Sequence, residues 1–499
     1  MANYPILTLL VFLPLAGSLA VFLLGQRSAL CRGVALAVSL GELALAAGLA
    51  VTAPLEPLVG GAPDGFFLVE DLPWIEGFGI RYLLAMDGIS LLMVLLTAFL
   101  AALAVLCSWK TIRSRVAPYY GLLLLATSGI MGVFLALDLF LFYLFWEVML
   151  IPLFFLICVW GEGQPVRAAL RFFLFTIGGS LLMLLAIVGL YLVHGKATGV
   201  YTFAVPELLH TPMTPALSCL LFAAFFLAFA VKTPIFPLHG WLPDAYTAAP
   251  TAATLLLAGL MAKTGVYGLV RFAYPLFPEA AALFSPVVVV LAVIGILYAS
   301  LLAYVQTDMK RLVAYSSFGH MGFVVLGIAA WTPVSLSGSL VQMVNHGITS
   351  GALFLMAGML EERSGSRDID SFGALWGKIP LFGACLLLFS LANLGLPGLN
   401  NFVGEFLILA GVFSVSPAAA AVALGGIVLV LIYTLRLVQC LLFGPERGVW
   451  EIADLSPREI LLLASLAVAV IALGVYPAPA LDLVRAPIAL LTGGKGGLP

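Results

Sequence analysis

About fourteen runs of roughly 20 apolar residues, separated by short polar or Pro/Gly-rich breaks, occupy most of this 499-residue chain. A helix rises about 1.5 Å per residue and a bilayer's hydrocarbon core is about 30 Å thick, so runs of that length are long enough to cross it. The reading places helices at 5–24, 33–53, 84–107, 118–136, 139–160, 168–193, 215–239, 250–272, 281–305, 312–331, 337–360, 380–411, 417–443 and 459–477. Composition leaves no other solution: 63% of the residues are hydrophobic and 9% are charged, against about 25% charged in a soluble chain. Too little polar surface exists to coat that much apolar mass. A secreted domain, a cytosolic enzyme, a nucleic-acid binder and a peripheral protein are excluded, and a polytopic all-α membrane protein remains.

The six cysteines stand singly, with no C-x-x-C spacing to hold zinc, an iron–sulfur cluster or a dithiol. The five histidines show no paired haem-ligand pattern. The first apolar run lacks a basic leader and is read as a retained helix. The longest connection, 54–83, carries Pro54, Pro57, Pro63 and Pro73 and is expected to be an ordered external loop with room for a hairpin. Basic residues set the orientation. Fourteen of them follow odd-numbered spans, from Arg27 to Arg458, including Lys310 and Arg311. Five lie on the other side: Arg81, Lys196, Arg271, Arg485 and Lys495. This asymmetry predicts odd loops in the cytoplasm and both termini outside, which would be the periplasmic side if, as the resemblance described below implies, the membrane is a bacterial inner membrane.

An ionisable group at membrane depth costs at least about 2.5–3.5 kcal/mol, so it faces the protein interior and usually has a task. The deep set is Glu42, Glu147, Lys232, Lys263, His320, His346, Glu405 and Arg436. For Glu42 and Arg436 a structural role is as good a reading as a functional one. Two of the charges sit beside broken helices. Pro234 and Pro237 follow Lys232 and free backbone acceptors there, and Gly395, Pro397, Gly398 and Gly404 precede Glu405. Irregular backbone at this depth is tolerated where it lines a polar cavity or is buried in protein. Pro234 and Pro397 are 163 positions apart, as are Pro118 and Ala281, where spans 4 and 9 begin. This register predicts two five-helix repeats, spans 4–8 and 9–13. Because each holds an odd number of spans, the second is inverted relative to the first. The division is then 1–117 for three N-terminal helices with the external loop, 118–272 and 281–443 for the repeats, and 444–499 for a C-terminal helix and tail.

The segments Phe-Trp-Glu-Val-Met-Leu-Ile-Pro (145–152), Lys-Thr-Pro-Ile-Phe-Pro-Leu-His-Gly-Trp-Leu-Pro-Asp-Ala (232–245), Ala-Pro-Thr-Ala (249–252), Met-Ala-Lys-Thr-Gly-Val-Tyr-Gly (261–268), Ala-Tyr-Ser-Ser-Phe-Gly-His-Met-Gly (314–322) and Leu-Pro-Gly-Leu-Asn-Asn-Phe-Val-Gly-Glu-Phe (396–406), with Met-Asp-Gly-Ile-Ser (86–90), resemble the antiporter-like membrane subunits of respiratory complex I. The resemblance runs in order from about residue 5 to 480. Within that family the M-type chain has glutamate in the broken span 12 where the L- and N-type chains have lysine, and Glu405 matches the M-type. One departure is Tyr246-Thr247-Ala248, where many relatives have histidine first and often glutamate third.

The resemblance implies a proton-translocating subunit of a NADH:quinone oxidoreductase, with no redox or nucleotide site of its own. FMN, iron–sulfur clusters and quinone would belong to partner subunits. The partners implied are L-type and N-type antiporter-like chains, small membrane subunits and lipids, with no nucleic acid and no metal. The proton relay would comprise Glu147, Lys232, Lys263, His320, His346 and Glu405. A Glu147–Lys232 ion pair that forms and breaks would switch Lys232 between holding and passing a proton. Other homes for such a chain are a multi-chain cation/proton antiporter or a membrane-bound hydrogenase. A non-pumping scaffold is disfavoured, because it gains nothing from four costly buried charges.

Overall fold

With no water in hydrocarbon to satisfy N–H and C=O groups, each apolar run bonds its own backbone as a helix. The computed structural model describes residues 5–52, 65–447 and 452–493. Among these, thirteen helices are long and apolar enough to cross a membrane. They are α1 (Ile6–Leu24), α2 (Ser28–Thr52), α3 (Gly88–Thr111), α4 (Val116–Leu135), α5 (Leu139–Trp160), α6 (Pro165–Thr198), α7a (Pro215–Lys232), α8 (Thr251–Leu276), α9 (Pro278–Tyr304), α10 (Met309–Ala330), α11 (Pro333–Ser364), α13 (Pro417–Phe443) and α14 (Pro457–Val475). The remaining expected span, 380–411, is two half-helices, α12a (Pro380–Asn393) and α12b (Asn400–Val415).

Side-chain caps start several of the helices. Asp87 accepts from Ser90 N at 2.9 Å to open α3, Asp308 accepts from Arg311 N at 2.9 Å to open α10, and Ser456 and Glu459 form a reciprocal box at the head of α14. Helices α3, α4, α8, α10 and α11 are enclosed by protein, whereas α1, α2, α6, α9, α13 and α14 leave much of their surface to lipid. The order in which α4 packs on α5, α5 on α6, and α6 on α7a recurs as α9 on α10, α10 on α11, and α11 on α12b.

The two expected breaks are present, and the expected C-terminal tail needs correction. The helix expected over 215–239 stops at Lys232 and resumes as α7b (Leu242–Ala248), because Pro234 and Pro237 lack the N–H that would continue it. The run at 380–411 likewise breaks between Asn393 and Asn400, with Gly395 and Gly398 at φ of 75° and 90°, a region open to glycine. Beyond α14 a further helix, α15 (Ala478–Leu491), packs against α3 and α11, where a tail had been expected. A side chain at Gly88 would run into the Leu483 backbone, so only glycine lets α15 cross the head of α3.

The long connection does carry a hairpin, β1 (Leu68–Ile75) and β2 (Ile80–Met86), paired antiparallel. Pro54, Pro57 and Pro63 lie outside the described residues. Strand β2 is extended by the turn between α4 and α5, with Leu137 N bonding Leu83 O at 2.9 Å and Val205 N bonding Leu137 O at 3.0 Å. Glu70 on β1 accepts from Leu7 N at 2.7 Å and so ties α1 to the hairpin.

Candidate functional site

Each relay residue expected from sequence sits where a helix is irregular or where two enclosed helices meet. Glu147 lies on α5 at a kink around Met149, since Pro152 cannot bond the carbonyl of Val148. The preceding residue, Trp146, holds Lys232: the ammonium lies 4.0 Å from the indole centre and 3.4 Å from the Trp146 carbonyl. Lys232 is 1% exposed. Glu147 and Lys232 form no ion pair among the described residues, and Glu147 Oε1 is buried without a hydrogen-bond partner. The carbonyls released at the α7 break are reused: Ala230 O accepts Ile235 N at 2.8 Å, and Val231 O accepts Trp241 Nε1 at 2.9 Å.

Lys263 occupies a short α-helical stretch of α8 between two π-helical turns, Leu257–Met261 and Leu269–Ala273. Its ammonium bonds the Ala258 carbonyl and lies 2.6 Å from His346 Nδ1 on α11. The rings of His346 and His320 are 5.8 Å apart, centre to centre. His320 Nδ1 on α10 is 2.7 Å from Glu405 Oε1 on α12b, and Gln342 Nε2 donates to the same oxygen at 3.2 Å. Nε2 of both histidines is buried and unpartnered. Four residues from four helices therefore form one line, Lys263–His346–His320–Glu405. Lys232 and Glu147 stand apart from it, across the contact between Gly265 and Thr233.

Of the two residues with undecided roles, Arg436 bonds the Tyr304 carbonyl and lies over its ring, which is an anchoring role. Glu42 is fully buried on α2, and neither carboxylate oxygen has a partner. Sequence reasoning had assigned Arg271 and Lys310 to loops, and both are buried. Arg271 pairs with Asp87 at 2.6 Å, and Lys310 donates to Ala249 O at 2.6 Å. Both lie within a turn or two of a helix end, where a hydropathy window cannot separate loop from protein interior. The reading also passed over a row of buried amides. Asn345 Nδ2 bonds Asn400 O at 2.7 Å and Asn400 Nδ2 returns to Asn345 O at 3.0 Å, clasping α11 to the start of α12b. Gln342 and Asn345 at the middle of an apolar run were the available signal, since unpaired amides there are costly.

The family described as NADH:quinone oxidoreductase/Mrp antiporter, transmembrane, matches residues 136–431, more than half of the chain. The chain is 49% identical to NADH-quinone oxidoreductase subunit M of Pseudomonas aeruginosa over 435 residues, covering 86% of this chain and 85% of that protein. It is 46% identical to the Escherichia coli subunit M over 420 residues, covering 83% and 82%. Among solved structures, a chain of Thermus thermophilus respiratory complex I superposes with a TM-score of 0.87 at 33% identity, covering 97% of this chain and 99% of that one. These matches agree with the enclosed helices, the two breaks and Glu405 in the second of them: the chain belongs to the subunit M family of the NADH-quinone oxidoreductases.

Proposed function

We propose that this chain carries protons across the membrane as one subunit of a respiratory NADH:quinone oxidoreductase, along Glu147, Lys232, Lys263, His346, His320 and Glu405. The observation that carries the reading is the line of titratable groups from Lys263 to Glu405, in contact at each end and with 5.8 Å between the centres of its two middle rings. With an ammonium at Lys263 and a carboxylate at Glu405 taken as the starting state, the line has a direction. An ammonium at Lys263 donates to His346 Nδ1, which leaves the proton of that ring on Nε2. A carboxylate at Glu405 accepts from His320 Nδ1, which leaves Nε2 of that ring as an acceptor. A water bridging the two Nε2 atoms would complete the line. A proton moving from Lys263 into His346 Nδ1 releases another from Nε2 through water to His320 Nε2, and His320 Nδ1–H passes its proton to Glu405. Both rings finish in the opposite tautomer and reset when they turn over again.

Lys232 is the supply to this line. Held by the Trp146 carbonyl and ring, its ammonium can swing toward Glu147, and the two arrangements correspond to passing and holding the proton. Moving one charge against 100 mV costs about 2.3 kcal/mol, so the work must come from redox chemistry in partner subunits, where FMN, iron–sulfur clusters and quinone would be bound. In this proposal the odd-numbered connections face the cytoplasm and both termini the periplasm, a reading supported by the bias of basic residues toward the odd connections. Glu147→Gln or Lys232→Ala is expected to abolish proton pumping coupled to NADH oxidation while the complex still assembles. Unimpaired pumping in an assembled variant would refute the role of that residue.

A further inference from the structure

At the end of the bundle that carries the basic loops, a cavity of about 370 Å³ opens among α3, α4, α8, α11 and α14. Tyr119, Thr251, Glu162, Glu361, Glu362 and Arg458 are among its lining residues. The hydroxyl of Tyr119, a fully buried residue, lines it without a hydrogen-bond partner. Beside the cavity, Arg367 Nη1 lies 3.2 Å from Glu361 Oε1 and 3.5 Å from Glu162 Oε2, while Arg367 Nε lies 3.1 Å from Asp308 Oδ2. Arg367 Nη1 thus stands between the Glu162 and Glu361 carboxyl groups and brings the two acids to one cation. Exposure falls inward, from 57% at the Glu162 side chain to 20% at Glu361 and 1% at Lys310.

From Lys310 a string of polar groups follows the head of α8. Lys310 Nζ bonds Ala249 O at 2.6 Å, and the Thr254 hydroxyl shares that carbonyl at 3.2 Å while also reaching Tyr246 O at 3.1 Å. The Tyr246 hydroxyl then donates to Leu257 O at 3.2 Å. The next carbonyl along α8, that of Ala258, is the one that takes the Lys263 ammonium. Tyr246 and Thr254 are fully buried, yet neither carries out any part of the relay described above.

We propose that this cavity is a second proton inlet, in which the Glu162–Glu361 carboxyl pair takes up protons and Lys310, Thr254 and Tyr246 mark the way to Lys263. The inference rests on the proton-translocating reading. Uptake forms an O–H bond on the carboxyl pair. Transfer to a neutral Lys310 amine breaks that O–H bond and forms N–H. The ammonium then releases the proton to water held by the Thr254 and Tyr246 hydroxyls, and the amine is restored. The titratable and charged groups around Glu361 are Glu162 from the α5–α6 connection, Asp308 and Lys310 at the head of α10, Arg367 after α11, and Glu362 and Arg458 on the cavity lining.

The test uses the assembled complex in sealed vesicles, with turnover coupled to proton pumping followed against pH in Glu361→Gln and Tyr246→Phe. Glu361→Gln is expected to slow coupled turnover about tenfold at mildly alkaline pH and less at mildly acid pH, with imidazole as a diffusible proton carrier restoring most of the loss. Tyr246→Phe keeps the ring packed against Trp241 and Phe354 and is expected to slow turnover without rescue. Wild-type turnover in Glu361→Gln, or a loss equal at every pH and unrelieved by imidazole, would overturn the inlet. If Glu361→Gln fails to assemble, Glu162→Gln carries the same pH and rescue readout. Glu147→Gln in the same vesicles separates the two readings: if it pumps normally the relay itself fails, and if it does not pump while Glu361→Gln does, only the inlet fails.

Discussion

Gly265→Ala would test whether α8 holds the α7 break in place. A methyl carbon at Gly265 would stand 2.3 Å from Thr233 Oγ1, 2.7 Å from Phe229 O and 2.9 Å from Thr233 N. Ordinary contact begins near 3.4 Å, so the two segments must part by about 1 Å, and two of the three atoms are backbone that cannot rotate away. Overpacking of this kind costs about 1–3 kcal/mol, which a bundle of this size can absorb without unfolding. Function is less forgiving: Lys232 is the residue before Thr233, and a 1 Å displacement of a reacting group lowers a rate by on the order of 100-fold. The assay is NADH-driven proton translocation in inverted vesicles, normalised to assembled complex. Gly259→Ala, on the same helix, is the control, because the one close contact of its methyl would be the tip of the Leu100 side chain, at 2.5 Å, which can turn aside, with the Gly347 carbonyl at an ordinary 3.6 Å. Gly265→Ala is expected to lose pumping by about 10- to 100-fold and Gly259→Ala by less than about twofold. Equal effects in the two variants, or normal pumping in Gly265→Ala, would refute the argument that this contact positions Lys232.

Two further expectations concern the opposite face. Asp87→Ala removes the partner of Arg271 in a pair whose side chains are 7% and 4% exposed, and should destabilise the assembled complex by about 3–5 kcal/mol, seen as a lower thermal dissociation temperature. Asp87→Asn keeps an oxygen for Ser90 N and should lose less; equal losses would show that the cap is not part of the effect. Burial pushes the Asp138 carboxyl up to about 6, against lowering by hydrogen bonds from the Leu141, Arg81 and Phe140 amides. The folded protein therefore keeps a proton there that an unfolded chain sheds near about pH 4, so the stability from this group is present at low pH and is lost as pH rises through about 6. Asp138→Asn should flatten the pH dependence of thermal stability between about pH 4 and 6, and an unchanged slope would rule the group out.

Much of the bundle was legible because hydrocarbon imposes a one-dimensional rule. A segment that spans must be apolar for about 20 residues and must satisfy its own backbone, so length and composition along the chain suffice to find it. The two breaks were legible for a related reason, since Pro234, Pro237 and Pro397 each remove a donor whatever surrounds them. Residues near helix ends were not. Lys310 and Arg271 look like loop residues in any window, and only the helices packed over them, with Ala249 O and Asp87 in place, make them interior groups.

The amino-acid sequence by itself determined that this chain lives in a membrane, where its helices run, and which few charges lie at depth, because the cost of an ionisable group in hydrocarbon depends on depth far more than on neighbours. Only the tertiary structure decided that Lys263, His346, His320 and Glu405 form a line while Glu147 and Lys232 stand apart from it. A hydrogen bond requires atoms within about 3 Å, and residues 85 positions apart, such as His320 and Glu405, reach that distance through helix packing that no local pattern records.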